Sequence, residues 1–244
     1  MTTTIAARGK PLSHKMSEWF SRFNSIGYDN ITGVFGFTKE KSPLYGGRVW
    51  ERAEVTDEDY DWMVANGIKL KILLTGNKVS KEHYEESFPL LERYHIKGNS
   101  VVTVNDKLAQ WVRRDYSDYT LEASVIKQTQ FSGIDKVLDL YDKLHLPMHL
   151  NDDEEGLKKI KQKERIILFA NAVCAYECKL QICYSAAAES NRTGILVSRC
   201  SAKGGLGITK ISETVKVFDR KKLNDLGFHH FKVLANFTNN PSYY

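Results

Sequence analysis

Short apolar runs alternate with charged, helix-periodic segments along most of this chain, and few folds are compatible with that order. The runs are ITGVFGF (31–37), KLKILLTG (69–76), SVVTVND (100–106), YTLEASVI (119–126), LPMHLND (146–152), RIILFAN (165–171), ETVKVF (213–218) and HHFKVLA (229–235). Many are rich in β-branched residues and several are apolar on both faces, as parallel strands covered on both sides are. Eight such strands, mostly separated by helices within 244 residues, fit a (β/α)8 TIM-like barrel, whose usual length is about 250 residues. The competing open, doubly wound sheet often carries a glycine-rich phosphate turn after its first strand, and none is present. The expectation is an α/β chain, one (β/α)8 barrel domain over 1–244, with an excursion at 171–212.

The intervening segments carry helix punctuation. TDEDYDWMVANG (56–67) opens on Thr56, places acidic residues in its first turn and closes on Gly67. Ser80 is positioned to cap a helix over 80–99, which Pro89 must kink or interrupt. NDKLAQWVRRDYSD (105–118) and SGIDKVLDLYDKLH (132–145) carry apolar stripes at helical spacing, DDEEGLKKIKQKE (152–164) is short and charged, and DRKKLNDLG (219–227) ends on Gly227.

All four cysteines, Cys174, Cys178, Cys183 and Cys200, fall within one short stretch. A chain of this size buries on the order of 70% of its unfolded surface and does not need them as staples. The N-terminal segment MTTTIAARGKPLSHK lacks the apolar run of a signal peptide, and no stretch approaches the ~20 apolar residues of a membrane span. The expectation is a cytoplasmic protein with no membrane association, where structural disulfides are disfavoured. The stretch follows the sixth predicted strand, so in a barrel it emerges on the C-terminal face that carries chemistry. Its spacing, Cys-x3-Cys-x4-Cys-x16-Cys, supplies the four thiolates of a [4Fe–4S] cluster. Zinc is the lesser alternative, because zinc ribbons favour paired Cys-x2-Cys knuckles. Buried or redox-active cysteines without a metal remain a third reading. The Cys-x3-Cys-x2-Cys of radical S-adenosylmethionine enzymes differs in its second interval, in its place after the first strand, and in having no fourth cysteine.

The barrel order, the cysteines after a late strand and the tail DRKKLNDLGFHHFKVLA (219–235) together resemble the U32 peptidase-like family. That family includes the iron–sulfur proteins of oxygen-independent ubiquinone hydroxylation and of RNA base hydroxylation. The matching tail positions are Leu223, Leu226, Gly227, Phe231, Lys232 and Val233. The resemblance implies a barrel with a four-cysteine [4Fe–4S] cluster, a redox enzyme of the U32-type hydroxylase kind, and an electron donor or other protein partner. The alternative is a binding or assembly protein in which the cluster is structural. No Ser/His/Asp or metalloprotease pattern points to peptidase chemistry.

Substrate-pocket candidates come from polar residues in or near the ends of predicted strands. Glu122 lies in a largely apolar strand, and a buried carboxylate there needs a partner, for which Lys232 in the last strand is the candidate. His149 and Asn151 lie towards the end of the fifth predicted strand, with His149 a candidate to point into the barrel. Asn105, Asp106 and Asp152 are read as helix N-caps. The net charge of +5 permits an acidic partner such as nucleic acid without implying one.

Overall fold

The computed structural model describes residues 1–26, 30–176, 178, 182–199 and 216–234. Ten strands are described: β1 (Thr2–Ala6), β2 (Ile31–Phe35), β3 (Lys69–Leu74), β4 (Ser100–Thr103), β5 (Thr120–Ala123), β6 (Lys143–His145), β7 (Ile166–Phe169), β8 (Asn171–Ala172), β9 (Lys216–Val217) and β10 (His230–Val233). Eight of them close a barrel in the order β1-β10-β7-β6-β5-β4-β3-β2, and every neighbouring pair is parallel. The expected TIM-like barrel is thus present, but two of its strands are not where the apolar runs place them.

The first correction is at the N-terminus. TTTIA forms β1 and pairs with both β2 and β10. Its threonines conceal it, because Thr2 and Thr4 face a polar barrel interior and no apolar alternation results. The second is ETVKVF (213–218), which is not a barrel strand. Within it, Lys216–Val217 forms β9, which pairs antiparallel with β8 outside the barrel; 213–215 lies outside the described residues. LPMHLND (146–152) is also displaced. The sixth barrel strand is KLH at 143–145, and Met148–Asp152 is a 3-10 turn.

The helices α1 (Met16–Phe20), α2 (Asp57–Ala65), α3 (Lys81–Glu85), α4 (Phe88–Arg93), α5 (Asp106–Asp115), α6 (Ile134–Leu138), α7 (Glu154–Lys158), α8 (Ile182–Thr193) and α9 (Arg220–Asp225) occupy the connections. Thr56 caps α2 in a reciprocal box with Asp59: Asp59 N–H donates to Thr56 Oγ1 at 3.2 Å and Thr56 N–H to Asp59 Oδ2 at 3.1 Å. Asp59 also accepts from Met16 N–H at 2.7 Å and pairs with the buried Lys10 ammonium at 2.9 Å. One carboxylate therefore ties α1 and α2 together. Ser80 caps α3, and Pro89 in the first turn of α4 splits the long predicted helix in two. Asn105 caps α5 as expected. Asp106 and Asp152 are not caps: Asp106 is the first residue of α5, and Asp153 caps α7.

Strand alternation divides the core into two layers. Leu70, Ile72, Leu74, Val101, Leu121, Leu144, Leu168, Phe231 and Val233 face outward onto the helices and are fully buried. The opposite faces of the same strands point into the barrel. There the sequence supplies Lys71, Glu122, Lys143, His145, His230 and Lys232, an unusually polar filling.

Candidate functional site

Glu122 on β5 is the centre of the interior. Its Oε1 accepts from Lys71 Nζ on β3 at 2.6 Å, and its Oε2 accepts from His145 Nε2 on β6 at 2.7 Å. All three side chains are buried. Burial alone pushes the Glu122 carboxyl upward, but the Lys71 ammonium and the His145 hydrogen bond outweigh it and hold the group well below its usual range. Glu122 is therefore an anion. Burial lowers His145 to about 4, against the pull of Glu122, so the imidazole is neutral near pH 7. Since Glu122 can only accept, His145 Nε2 carries the proton and Nδ1 is a bare acceptor. That Nδ1 is buried without a hydrogen-bond partner.

Lys232 on β10 is buried, as expected, but it is not the hydrogen-bonded partner of Glu122; Lys71 takes that place. The Lys232 ammonium instead lies 4.0 Å from the centre of the Phe35 ring and 5.9 Å from that of Phe169. Burial lowers it to about 7; Glu122 opposes that shift, while Lys71 and Arg48 add to it. Asn151 is buried, donating from Nδ2 to the Phe169 carbonyl at 2.8 Å with its Oδ1 unpartnered. The structure corrects the reading of His149: it lies in the Met148–Asp152 turn and is exposed, not directed into the barrel.

Three of the four cysteines are described. Cys174 is exposed in the turn after β8, and Cys178 and Cys183 are half-buried. Cys178 N–H donates to the Cys174 carbonyl at 3.1 Å, so the two lie on one tight turn. The Tyr184 hydroxyl is raised by burial first and then by the charges of Cys183, Cys174 and Cys178. Cys174 also acts on Arg8, just beyond β1, whose guanidinium is lowered by burial and by Arg48 and supported by Glu54, Glu51 and Cys174. Arg48 stacks on Phe37 at 4.0 Å and pairs with Glu54. Among the described residues no three His, Cys, Asp or Glu side chains converge as a metal-binding group; Cys200 and the segment through 215 lie outside them.

The excursion is pinned by α8. Asn191 donates to the Tyr45 carbonyl at 3.0 Å and the Arg48 carbonyl at 2.9 Å, and accepts from Trp50 N–H at 2.7 Å. Asp152, read from sequence as a cap, anchors it at the other end through Lys216 at 2.6 Å and through Tyr176. The cysteine turn is thereby held at the C-terminal mouth, against the loop that follows β2.

Lys71, His145, Arg8 and Arg48 did not stand out as site residues. For Lys71 and His145 the available signal was strand phase. Leu70, Ile72 and Leu74 mark the outer face of β3, which turns Lys71 inward, and Lys143 and His145 flank the outward Leu144 in the same way.

A solved structure, the U32 peptidase Mk0906, matches 98% of this chain and 94% of its own with a TM-score of 0.61 at 15% sequence identity. The chain has a U32 peptidase-like fold. No protein-family model matches the sequence, and no curated protein matches it. At 15% identity the likeness to the U32 peptidase is one of fold. No helix among the described residues is long and apolar enough to cross a membrane.

Proposed function

We propose that the C-terminal mouth of this U32 peptidase-like barrel is a thiolate site for a [4Fe–4S] cluster, ligated by Cys174, Cys178, Cys183 and Cys200, and that the protein is a redox enzyme of the hydroxylase kind that its sequence resembles. The carrying observation is the place of Cys174, Cys178 and Cys183 in the chain that follows β7 and β8, with Cys174 and Cys178 on one hydrogen-bonded turn, at the end of the barrel where such folds place chemistry. The donor chemistry fits: soft thiolates suit iron–sulfur ligation. The electrostatics fit as well. A cluster held by four thiolates is net negative, and the Arg8 guanidinium, which interacts electrostatically with Cys174, brings positive charge to this end of the barrel. Cationic neighbours also favour the thiolate over the thiol. When bound, the cluster would supply one-electron transfer. The chain's own cysteines would hold it, with α8 fixing the excursion through Asn191.

One observation favours the non-enzymatic alternative, in which the cluster only crosslinks the 171–212 excursion. Lys71, Glu122, His145 and Lys232 are between 1% and 8% exposed and fill the barrel centre. Anaerobic purification with a visible spectrum and iron, sulfide and zinc analysis tests the cluster itself. A brown protein with about four irons per chain, bleached by Cys178→Ala, is the expected result. A colourless or zinc-loaded anaerobic preparation refutes it. Reduction of the bound cluster by dithionite, followed by reoxidation on addition of a substrate candidate, would separate the enzyme from the crosslink.

A further inference from the structure

The opposite end of the barrel holds a cavity that the mouth chemistry leaves unused. It has a volume of about 130 Å³ and opens between the N-terminal ends of the strands. Its polar lining is Thr2, Thr4, Thr32, Lys71, Lys143 and His230. Among the described residues no carboxylate lines it. Thr32 is exposed and forms an open rim, so a solute can enter from solvent.

The hydrogen bonds within it are directional. Thr2 Oγ1 donates to the His229 carbonyl at 3.3 Å, so His230 Nδ1–H donates to Thr2 Oγ1 at 2.6 Å. His230 Nε2 is then an acceptor for Lys143 Nζ at 3.3 Å. Burial, Lys143 and Lys71 all lower His230, to about 4, which keeps it neutral in this role. An ammonium has three donors and the imidazole uses one. Among the described residues Lys143 has no ion-pair partner. The neighbouring Asp142 is turned outward to Arg113 at 2.9 Å and the Leu121 N–H at 2.8 Å. Glu122, the interior's carboxylate, is already bound by Lys71 and His145.

We infer that this N-terminal cavity is a binding site for a small oxyanion of the phosphate type, held by the Lys143 ammonium and the hydroxyls of Thr4 and Thr32, with Thr2 orienting His230 beside them. The fixed groups are a cation and hydroxyl donors around a void, the complement of an oxyanion. The volume excludes larger ligands: drug-sized pockets begin near ~300 Å³. Such an anion would also neutralise the charge excess left when Lys71 is matched to Glu122.

Titration calorimetry with inorganic phosphate in low-salt buffer tests the site, with sulfate, acetate and chloride as comparison arms. The wild-type protein should bind phosphate and sulfate saturably at one site per chain, and acetate and chloride much more weakly. Lys143→Met should weaken phosphate at least about tenfold, the loss of one charge-assisted contact. Thr32→Val alters only the exposed rim, keeps the fold and should weaken binding a few-fold, while Cys178→Ala should leave it unchanged. Absence of saturable phosphate binding to the wild type overturns the assignment. So does a folded Lys143→Met protein with wild-type affinity, or chloride binding as tightly as phosphate.

Discussion

Replacing Glu122 with Gln should expose how the barrel centre is held together. The substitution keeps the shape and an acceptor for His145 but removes the charge opposite Lys71. Lys71 is 8% exposed and Glu122 1%, so the ammonium would remain in a dry site without its counter-ion. Breaking a buried pair from one side costs about 3–5 kcal/mol. In a chain of this length each kcal/mol lowers Tm by roughly 2–4 °C, so a fall of roughly 6–20 °C is expected by calorimetry or circular dichroism. The diagnostic is the double variant Lys71→Met, Glu122→Gln. It removes the stranded charge as well, so it should be more stable than Glu122→Gln alone, although it carries one more substitution. A single-variant loss under ~1 kcal/mol, or a double variant less stable than the single, would refute the reading that an ionised Glu122 neutralises Lys71.

Two pH profiles follow from the interior bases. His145 is neutral in the folded barrel and lowered to about 4, while in the unfolded chain it titrates near ~6.5. Its contribution is therefore complete above ~6.5 and is lost as pH falls towards 4, up to about 3 kcal/mol. Urea midpoints at pH 4.5 and 7 should converge more in His145→Gln than in the wild type, with His230 supplying the residual slope of the same sign. Lys232, lowered to about 7, binds fewer protons folded than unfolded between ~7 and ~10.4, so wild-type stability should rise with pH across that window, by about 5 kcal/mol at most. Lys232→Met should be more stable than the wild type at pH 7 and show a shallower alkaline rise; a variant destabilised at pH 7 would show that the buried amine is held by contacts its ring neighbours do not account for.

The helix boundaries could be read from local chemistry. Thr56, Ser80 and Asn105 cap where their side chains reach the next turn, and Pro89 divides a helix because its ring and missing N–H leave no alternative. Those effects act over three or four residues. Strands whose outer faces are apolar were equally plain. The misses have a common physical cause: this barrel is polar inside. A strand such as TTTIA or KLH places Thr, Lys or His on its inner face, and apolar periodicity then no longer marks it as a strand. Glu122 could be recognised as a buried charge in need of a cation, because a carboxylate inside an apolar run is costly whatever the fold. Which cation it takes is set by tertiary register, where Lys71 on β3 reaches it and Lys232 on β10 turns to Phe35. The cysteine spacing indicated a common centre; the described chain places Cys174 and Cys178 on one hydrogen-bonded turn, and Cys200 lies outside the described residues.

The seam of the barrel runs between β1 and β10, with Thr2 against His230 through Ile5 against Val233. Residues from opposite extremes of the described sequence thus complete the ring. During vectorial synthesis no ring can form until residue 233 has cleared the ribosomal tunnel. Before then β1 and β7 are both open edges able to recruit foreign strands. Ribosomes stalled before β10 should hold a protease-sensitive sheet dependent on chaperones, with compaction arriving only once β10 has emerged.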